Sequence, residues 1–252
     1  MTDHEFLFFA LVLATLWLST QFGAYLRRRR GRLVDDERED LAIVLTASLT
    51  LLGLIVGFSF SMAVTRYNQR KDCEAAEAVA IRSGFIRANL LPAPEAARIR
   101  ELLKQYTAQR IGFYLVRDVP ELDQTNAAVA KTQMELWSAL QGPAETRQTP
   151  ITALAISGVN DVLSAEGFTQ AAWRNRIPLG AWLLMGAIAV CCNFLVGFTA
   201  RRAEVVRKRF FVLPLLVSIS LILVADIDNP RAGAILVHPL NLEGVAVTME
   251  GR

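Results

Sequence analysis

Stretches with no charged side chain recur along the chain at the length of a bilayer crossing. Phe6 to Leu26, Leu41 to Val64 and Ile177 to Ala200 each supply the roughly 20 mostly apolar residues that a membrane helix needs. A fourth run, Phe210 to Ala225, holds only 16 residues and contains Pro214. At 1.5 Å per residue it reaches about 24 Å, against a hydrocarbon core of about 30 Å. Local thinning or extension to Ile227 lets it cross, and a re-entrant course is the alternative. The pattern therefore predicts transmembrane helices at 6–26, 41–64, 177–200 and 210–227. An insert at 65–176 separates the second from the third, and a tail at 228–252 follows the last.

Within the insert the periodicity is helical. Arg66 to Leu90 is rich in Ala, Glu and Arg and carries the second membrane helix onward, until Leu91-Pro92-Ala93-Pro94 breaks it. Ile99, Leu102, Leu103, Tyr106, Arg110 and Phe113 fall at three-four spacing, which predicts an amphipathic helix from Glu95 to Val116. Pro120 opens another, carrying Val129, Met134, Leu136 and Trp137 and ending at Gly142-Pro143. Thr149-Pro150 starts a fourth that stops near Glu166-Gly167. No stretch alternates with period two for long enough to propose a sheet. The fold class is an all-α membrane protein.

Charge then assigns orientation. Asp3, His4 and Glu5 precede the first apolar run, and Arg27 to Arg30 follow it, the reverse of a cleaved signal peptide. The segment Arg27 to Asp40 holds six arginines and Arg201 to Arg209 five basic residues. Both short loops are thereby predicted to face the cytoplasm, with the termini and the insert outside.

Composition narrows the chemistry. With 252 residues, 53% hydrophobic, the chain is no disordered polymer, and 27 basic against 24 acidic residues give nucleic-acid binding no global support. His4 and His238 lie at opposite ends, and Cys73, Cys191 and Cys192 make no disulfide framework. No cofactor or metal is expected. Ser157-Gly158 lacks a nucleophile elbow, no glycine-rich phosphate loop is present, and Cys73 has no histidine near it in sequence, so an enzyme is not expected. No Asp, Glu, Lys or Arg lies within the four apolar runs, the last taken from Phe210 to Ala225, which argues against proton pumping.

Thr46, Thr50, Gly53, Gly57 and Ser61 share one face of the second membrane helix. Small residues there permit close helix packing; the other reading is a pore wall, with Phe58 or Phe60 as an apolar gate and Ser59 and Ser61 as polar contacts beside it. Past the membrane, Arg66, Tyr67, Arg70 and Glu74 are either headgroup anchors with solvated i,i+4 pairs or, repeated about an axis, a charged ring at a pore mouth. Gly186, Asn193 and Gly197 form a second stripe in the third helix, where the Asn193 amide needs a partner across a helix interface. Asp226, Asp228 and Arg231 read as a capped turn, a cation site being the alternative, and 233–237 as a short strand or extended arm.

These residues carry a resemblance. The run from Gly53 to Arg70 (GLIVGFSFSMAVTRYNQR), then Glu74, Glu77, Ala80, Ile81, Arg87 to Pro92 (RANLLP) and Asp226 to Ile235 (DIDNPRAGAI) resemble the bacterial bestrophin-like proteins. The plan of two helices, a helical insert and two helices matches along the whole chain. The resemblance implies a homo-oligomer, by analogy a pentamer, in the bacterial inner membrane. It would pass small anions such as chloride through a pore lined by the second helix. It also implies a cytosolic insert, opposite to the charge count. The expected partners are lipid, small inorganic ions and further copies of the chain. The rival reading is a non-conducting membrane sensor or scaffold whose insert binds a partner.

Overall fold

The structure, a computed structural model, describes residues 3–30, 35–200 and 211–251. All regular structure among them is helical: α1 Asp3–Arg30, α2 Asp35–Ala88, α3 Ala93–Leu115, α4 Val119–Thr146, α5 Pro150–Arg174, α6 Leu179–Thr199, α7 Val212–Asp228 and α8 Leu240–Glu250. The segment at 233–237 is bends and irregular backbone rather than a strand. The basic run Arg201 to Arg209 lies outside the described residues.

Helix α2 is 54 residues long, about 80 Å at 1.5 Å each, and passes from the apolar run into the insert without a break. No glycine before Gly84 in its polar half and no proline interrupts it, and it ends where Pro92 opens the next helix. Two predicted stops are overridden. Helix α4 runs through Gly142-Pro143 to Thr146, because a proline four residues from the end removes one hydrogen bond while the last turn still closes. Helix α5 continues past Gly167 to Arg174, because Thr169, Ala172 and Trp173 beyond that glycine are all buried. A helical glycine costs only about 1 kcal/mol, which burial of that size exceeds.

The chain divides into two compact units, Met1–Thr65 with Arg176–Ile235, and Arg66–Asn175 with Leu236–Arg252. The first holds α1, the leading part of α2, α6 and α7 around a core of Leu16, Leu52, Met185, Ala189, Cys192, Val217 and Leu221. Here α1 lies parallel to α6. Ser19 donates to the Val190 carbonyl at 2.9 Å, Thr20 to Asn193 Oδ1 at 3.4 Å, and Gly23 sits beside Phe194 and Phe198. A β-carbon on Gly197 would collide with the Thr20 carbonyl oxygen, and one on Gly23 with that of Phe194. Glycine at both positions is what lets the two backbones touch.

Three described stretches are long and apolar enough to cross a membrane: Phe6–Arg30, a window within Asp36–Ala88 and one within Pro150–Thr199. Helix α7 has 17 residues, about 26 Å, and is shorter than those. Its Pro214 lies in the first turn, where the missing N–H has no intrahelical partner to lose.

The second unit packs the polar half of α2 with α3, α4, α5 and α8. Its core includes Ile81, Phe85, Ile99, Leu103, Phe113, Leu136, Val162 and Leu242. Phe113, Tyr114 and Trp173 meet edge to face with centroids 5.0–5.5 Å apart. Gly84 of α2 and Gly158 of α5 mark another close backbone approach.

Candidate functional site

Helix α2 has two unlike sides in the first unit. Leu52, Ser59 and Ala63 are buried, with Leu49, Ile55 and Val56 partly buried against the same core. Thr46, Thr50, Gly53, Gly57 and Ser61 are all exposed. A β-carbon added at Gly53 or Gly57 would meet no atom within 4 Å, unlike those at Gly23 and Gly197. Among the described residues the stripe on α2 is therefore not a packing seam within the protomer. The glycines of this unit that do pack helices are Gly23 of α1 and Gly197 of α6.

The two threonine hydroxyls donate back to their own helix, Thr46 to Ala42 at 2.8 Å and Thr50 to Thr46 at 2.9 Å. Each keeps acceptor capacity facing outward. This face borders a shallow groove of about 740 Å³ whose lining residues, between Glu39 and Leu54, all belong to α2. Phe58 is 64% exposed and Phe60 40% exposed, one on either flank of the stripe. Ser59 is only 3% exposed and does not stand beside the stripe as expected. Two residues along a helix turn it about 200°, which carries Ser59 from the Gly57 face to the packed side.

The juxtamembrane residues also sit differently from their sequence reading. Arg70 is 1% and Glu74 2% exposed, so neither is a solvated surface charge. Arg70 donates through Nε to the Ala172 carbonyl at 3.4 Å and through Nη2 to that of Asn175 at 3.3 Å, at the C-terminus of α5. Glu74 accepts the backbone N–H of Asn241 at 2.9 Å and of Leu242 at 3.0 Å, and the Asn241 amide at 2.6 Å. Helix α8 has Pro239 at its N-cap and no side-chain cap of its own, so Glu74 supplies one from α2. A cation at a helix C-terminus and an anion at an N-terminus each complement the helix dipole. Burial thus removes Arg70 from a solvent-facing ring. Arg66 and Tyr67 are partly buried, and Tyr67 packs against the core of this unit with the Lys71 ammonium 5.9 Å from its ring centre.

The best-buried charges are not among the expected site residues. Arg110 and Glu77 are both fully buried and joined by two hydrogen bonds, from Nε to Oε1 and from Nη2 to Oε2, the second at 3.2 Å. Thr169 donates to Glu77 at 3.0 Å and Tyr114 at 3.5 Å; the Arg110 guanidinium lies 4.3 Å from the centre of the Phe113 ring. Glu166 stands 3.7 Å from Arg110 Nη1. Burial pushes the Tyr114 hydroxyl above its ordinary range, and the Glu77 charge pushes it the same way. Burial pulls the Arg110 pKa down, but Glu77, followed by Tyr106 and Glu166, outweighs it and the net direction is up. The sequence does carry a signal for this pair: Arg110 interrupts an otherwise apolar and aromatic helix face, and a charge there needs a partner.

At the tail, both aspartates hold backbone. Asp226 accepts the N–H of Ala234 at 2.7 Å and of Ile235 at 3.1 Å, and Asp228 accepts that of Ile177 with both oxygens at 3.1 Å. The turn that follows Asp228 places Gly233 at φ +155°, a region that favours glycine, and a β-carbon there would stand 2.6 Å from Asp226 Oδ1. The Arg231 N–H donates to Asn229 Oδ1 at 3.3 Å. Among the described residues no group of three His, Cys, Asp or Glu side chains is placed to hold a metal ion. In α6, Asn193 is fully buried; it accepts from Thr20 of α1 and donates to the Ala189 carbonyl at 2.8 Å.

Comparison with solved structures finds the same fold across the chain. A bacterial bestrophin homologue from Klebsiella pneumoniae, carrying one tyrosine-to-alanine mutation, matches with TM-score 0.65 at 14% identity, over 96% of this chain and 98% of that one. The same organism's homologue solved by Zn-SAD phasing matches with TM-score 0.64 at 13% identity, over 97% and 95%. A membrane protein carrying one glycine-to-alanine mutation matches with TM-score 0.68 at 12% identity, over 98% of each chain. Comparison with curated proteins finds no match. The model of the Bestrophin-like domain matches residues 7–242, nearly the whole chain, and the protein belongs to the bestrophin-like family.

Proposed function

We propose that the chain assembles with further copies of itself into a membrane ion channel that passes small anions along the Thr46, Thr50, Gly53, Gly57 and Ser61 face of α2. One observation carries this reading: among the described residues nothing covers the stripe, although its glycines and hydroxyls are of the kind that elsewhere in the same unit pack against a neighbouring helix. In an assembly about a common axis, such a face offers hydroxyl oxygens and accessible backbone to a hydrated ion. Phe58 and Phe60 would flank it as the apolar constriction, while Ser59 stays in the packing. The Arg70 and Glu74 charges serve the helical body rather than a pore mouth, which leaves Arg66 as the juxtamembrane cation of the expected ring. No ionisable side chain lies between Leu41 and Val64, which suits passive permeation rather than ion-coupled pumping. Family membership points the same way, toward a channel rather than an enzyme.

The parallel pairing of α1 and α6 supports one orientation. Both helices end on the same side of the first unit, and each end adjoins a basic run in the sequence. With both on the cytoplasmic side and α7 as a fourth crossing, the insert and both termini are extracytoplasmic. Labelling a cysteine at the exposed Ser157 position from outside intact cells tests this, and labelling only after lysis contradicts it.

Purified protein in planar bilayers tests conduction. A current with an anion-selective reversal potential is expected, raised by Phe58→Ala or Phe60→Ala. Absence of current at every voltage, pH and Ca²⁺ level would leave the sensor or scaffold reading in its place.

A further inference from the structure

One end of the first unit concentrates positive charge. Helix α1 stays helical through Arg27, Arg28, Arg29 and Arg30, which fill its last turn. Arg28, Arg29 and Arg30 are exposed, and Arg29 lies 4.9 Å from the centre of the Tyr25 ring, itself 47% exposed. At 100° per residue four consecutive arginines sweep most of the way round the helix, so they do not serve a single packing partner. The same end receives α6: Arg38 donates to the Thr199 carbonyl at 3.2 Å, and parallel pairing places α6's C-terminus beside α1's. Asp36, Glu37, Glu39 and Asp40 are exposed at the start of α2, yet none forms a salt bridge with Arg28, Arg29 or Arg30 among the described contacts.

We propose that this arginine turn, with Tyr25 at the level of the headgroups, is a docking surface for anionic phospholipid. Two features select that occupant. The arginines directly follow an apolar stretch of membrane length, which sets them at headgroup depth. The guanidinium fork also matches a phosphodiester oxygen pair, and an interfacial tyrosine beside it presents an apolar body with a polar tip. This binding is independent of whether α2 lines a conducting pore.

The test is native mass spectrometry of the full-length protein titrated with phosphatidylglycerol or with phosphatidylcholine of the same acyl chains. Phosphatidylglycerol should be retained preferentially. Arg28→Gln, Arg29→Gln and Arg30→Gln together should reduce that preference by about fivefold per arginine, roughly a hundredfold in all. The matching lysine triple variant should keep most of it. If the glutamine variant fails to fold, the unmodified protein still decides. Equal retention of the two lipids by it, with the nearby carboxylates neutralising the arginines, overturns the proposal. So does a preference that survives the glutamine substitutions.

Discussion

Gly197 of α6 lies directly against the Thr20 carbonyl of α1, so that a single methyl group at residue 197 has nowhere to go. Gly57 of α2 has no atom within 4 Å of the same hypothetical methyl. Gly197→Ala, and likewise Gly23→Ala, should therefore force α1 and α6 apart at a cost of about 1–3 kcal/mol or more. Gly53→Ala and Gly57→Ala should leave the protomer as stable as before, or slightly more so, since alanine is the better helix former. Thermal unfolding in detergent distinguishes the pairs; equal destabilisation by Gly57→Ala would mean that its face is packed after all.

The Glu77–Arg110 pair predicts a large, asymmetric loss. Removing Arg110 leaves the Glu77 charge buried without a cation, a cost of about 3–5 kcal/mol, and removing Glu77 leaves Arg110 with Glu166 alone, a smaller loss. Arg110→Met should lower the unfolding midpoint sharply, and Glu77→Gln should lower it less. The double substitution should recover part of the loss. Additive losses in the double variant would show that the two residues act separately.

Alkaline pH should expose the same cluster. The Tyr114 hydroxyl has its folded-state pKa raised, first by burial and then by Glu77, above an unfolded value of about 10. Its contribution is therefore complete below about pH 10 and is lost as pH rises toward the raised value. Tyr106, fully buried and shifted upward by burial and then by Glu77, adds to the same limb. Unfolding midpoints measured from pH 8 upward should fall beyond about pH 10, and Tyr114→Phe should flatten that fall. An unchanged alkaline limb in the phenylalanine variant would place its cause elsewhere.

Much of this architecture is legible in the sequence because the relevant forces are local. Uncharged runs of bilayer length mark α1, α2 and α6, and Pro92, Pro120 and Pro150 mark helix starts within two residues. What is not legible depends on partners far away in the chain. Arg70 and Glu74 look like a solvated i,i+4 pair because four residues along a helix is the only spacing the sequence displays. Their acceptors and donors are the ends of α5 and α8, 102 and 167 residues off. The α2 stripe and the Gly197 position carry the same composition, and only the fold reveals that one is open and the other closed. Arg110 is the instructive middle case: its place on an apolar face signals a buried partner, and the identity of that partner, Glu77, emerges only when α3 packs on α2.

Reaction with an anionic thiol reagent tests the pore-lining face of α2 most directly. Gly57→Cys and Ser59→Cys are reconstituted separately into planar bilayers and exposed to a sulfonated thiosulfonate while current is recorded. Gly57→Cys should be modified and lose most of its current, whereas Ser59→Cys, turned into the packed side of α2, should carry current that the reagent leaves unchanged. Block at Ser59→Cys with Gly57→Cys spared would put a different face of α2, or a different helix, around the pore.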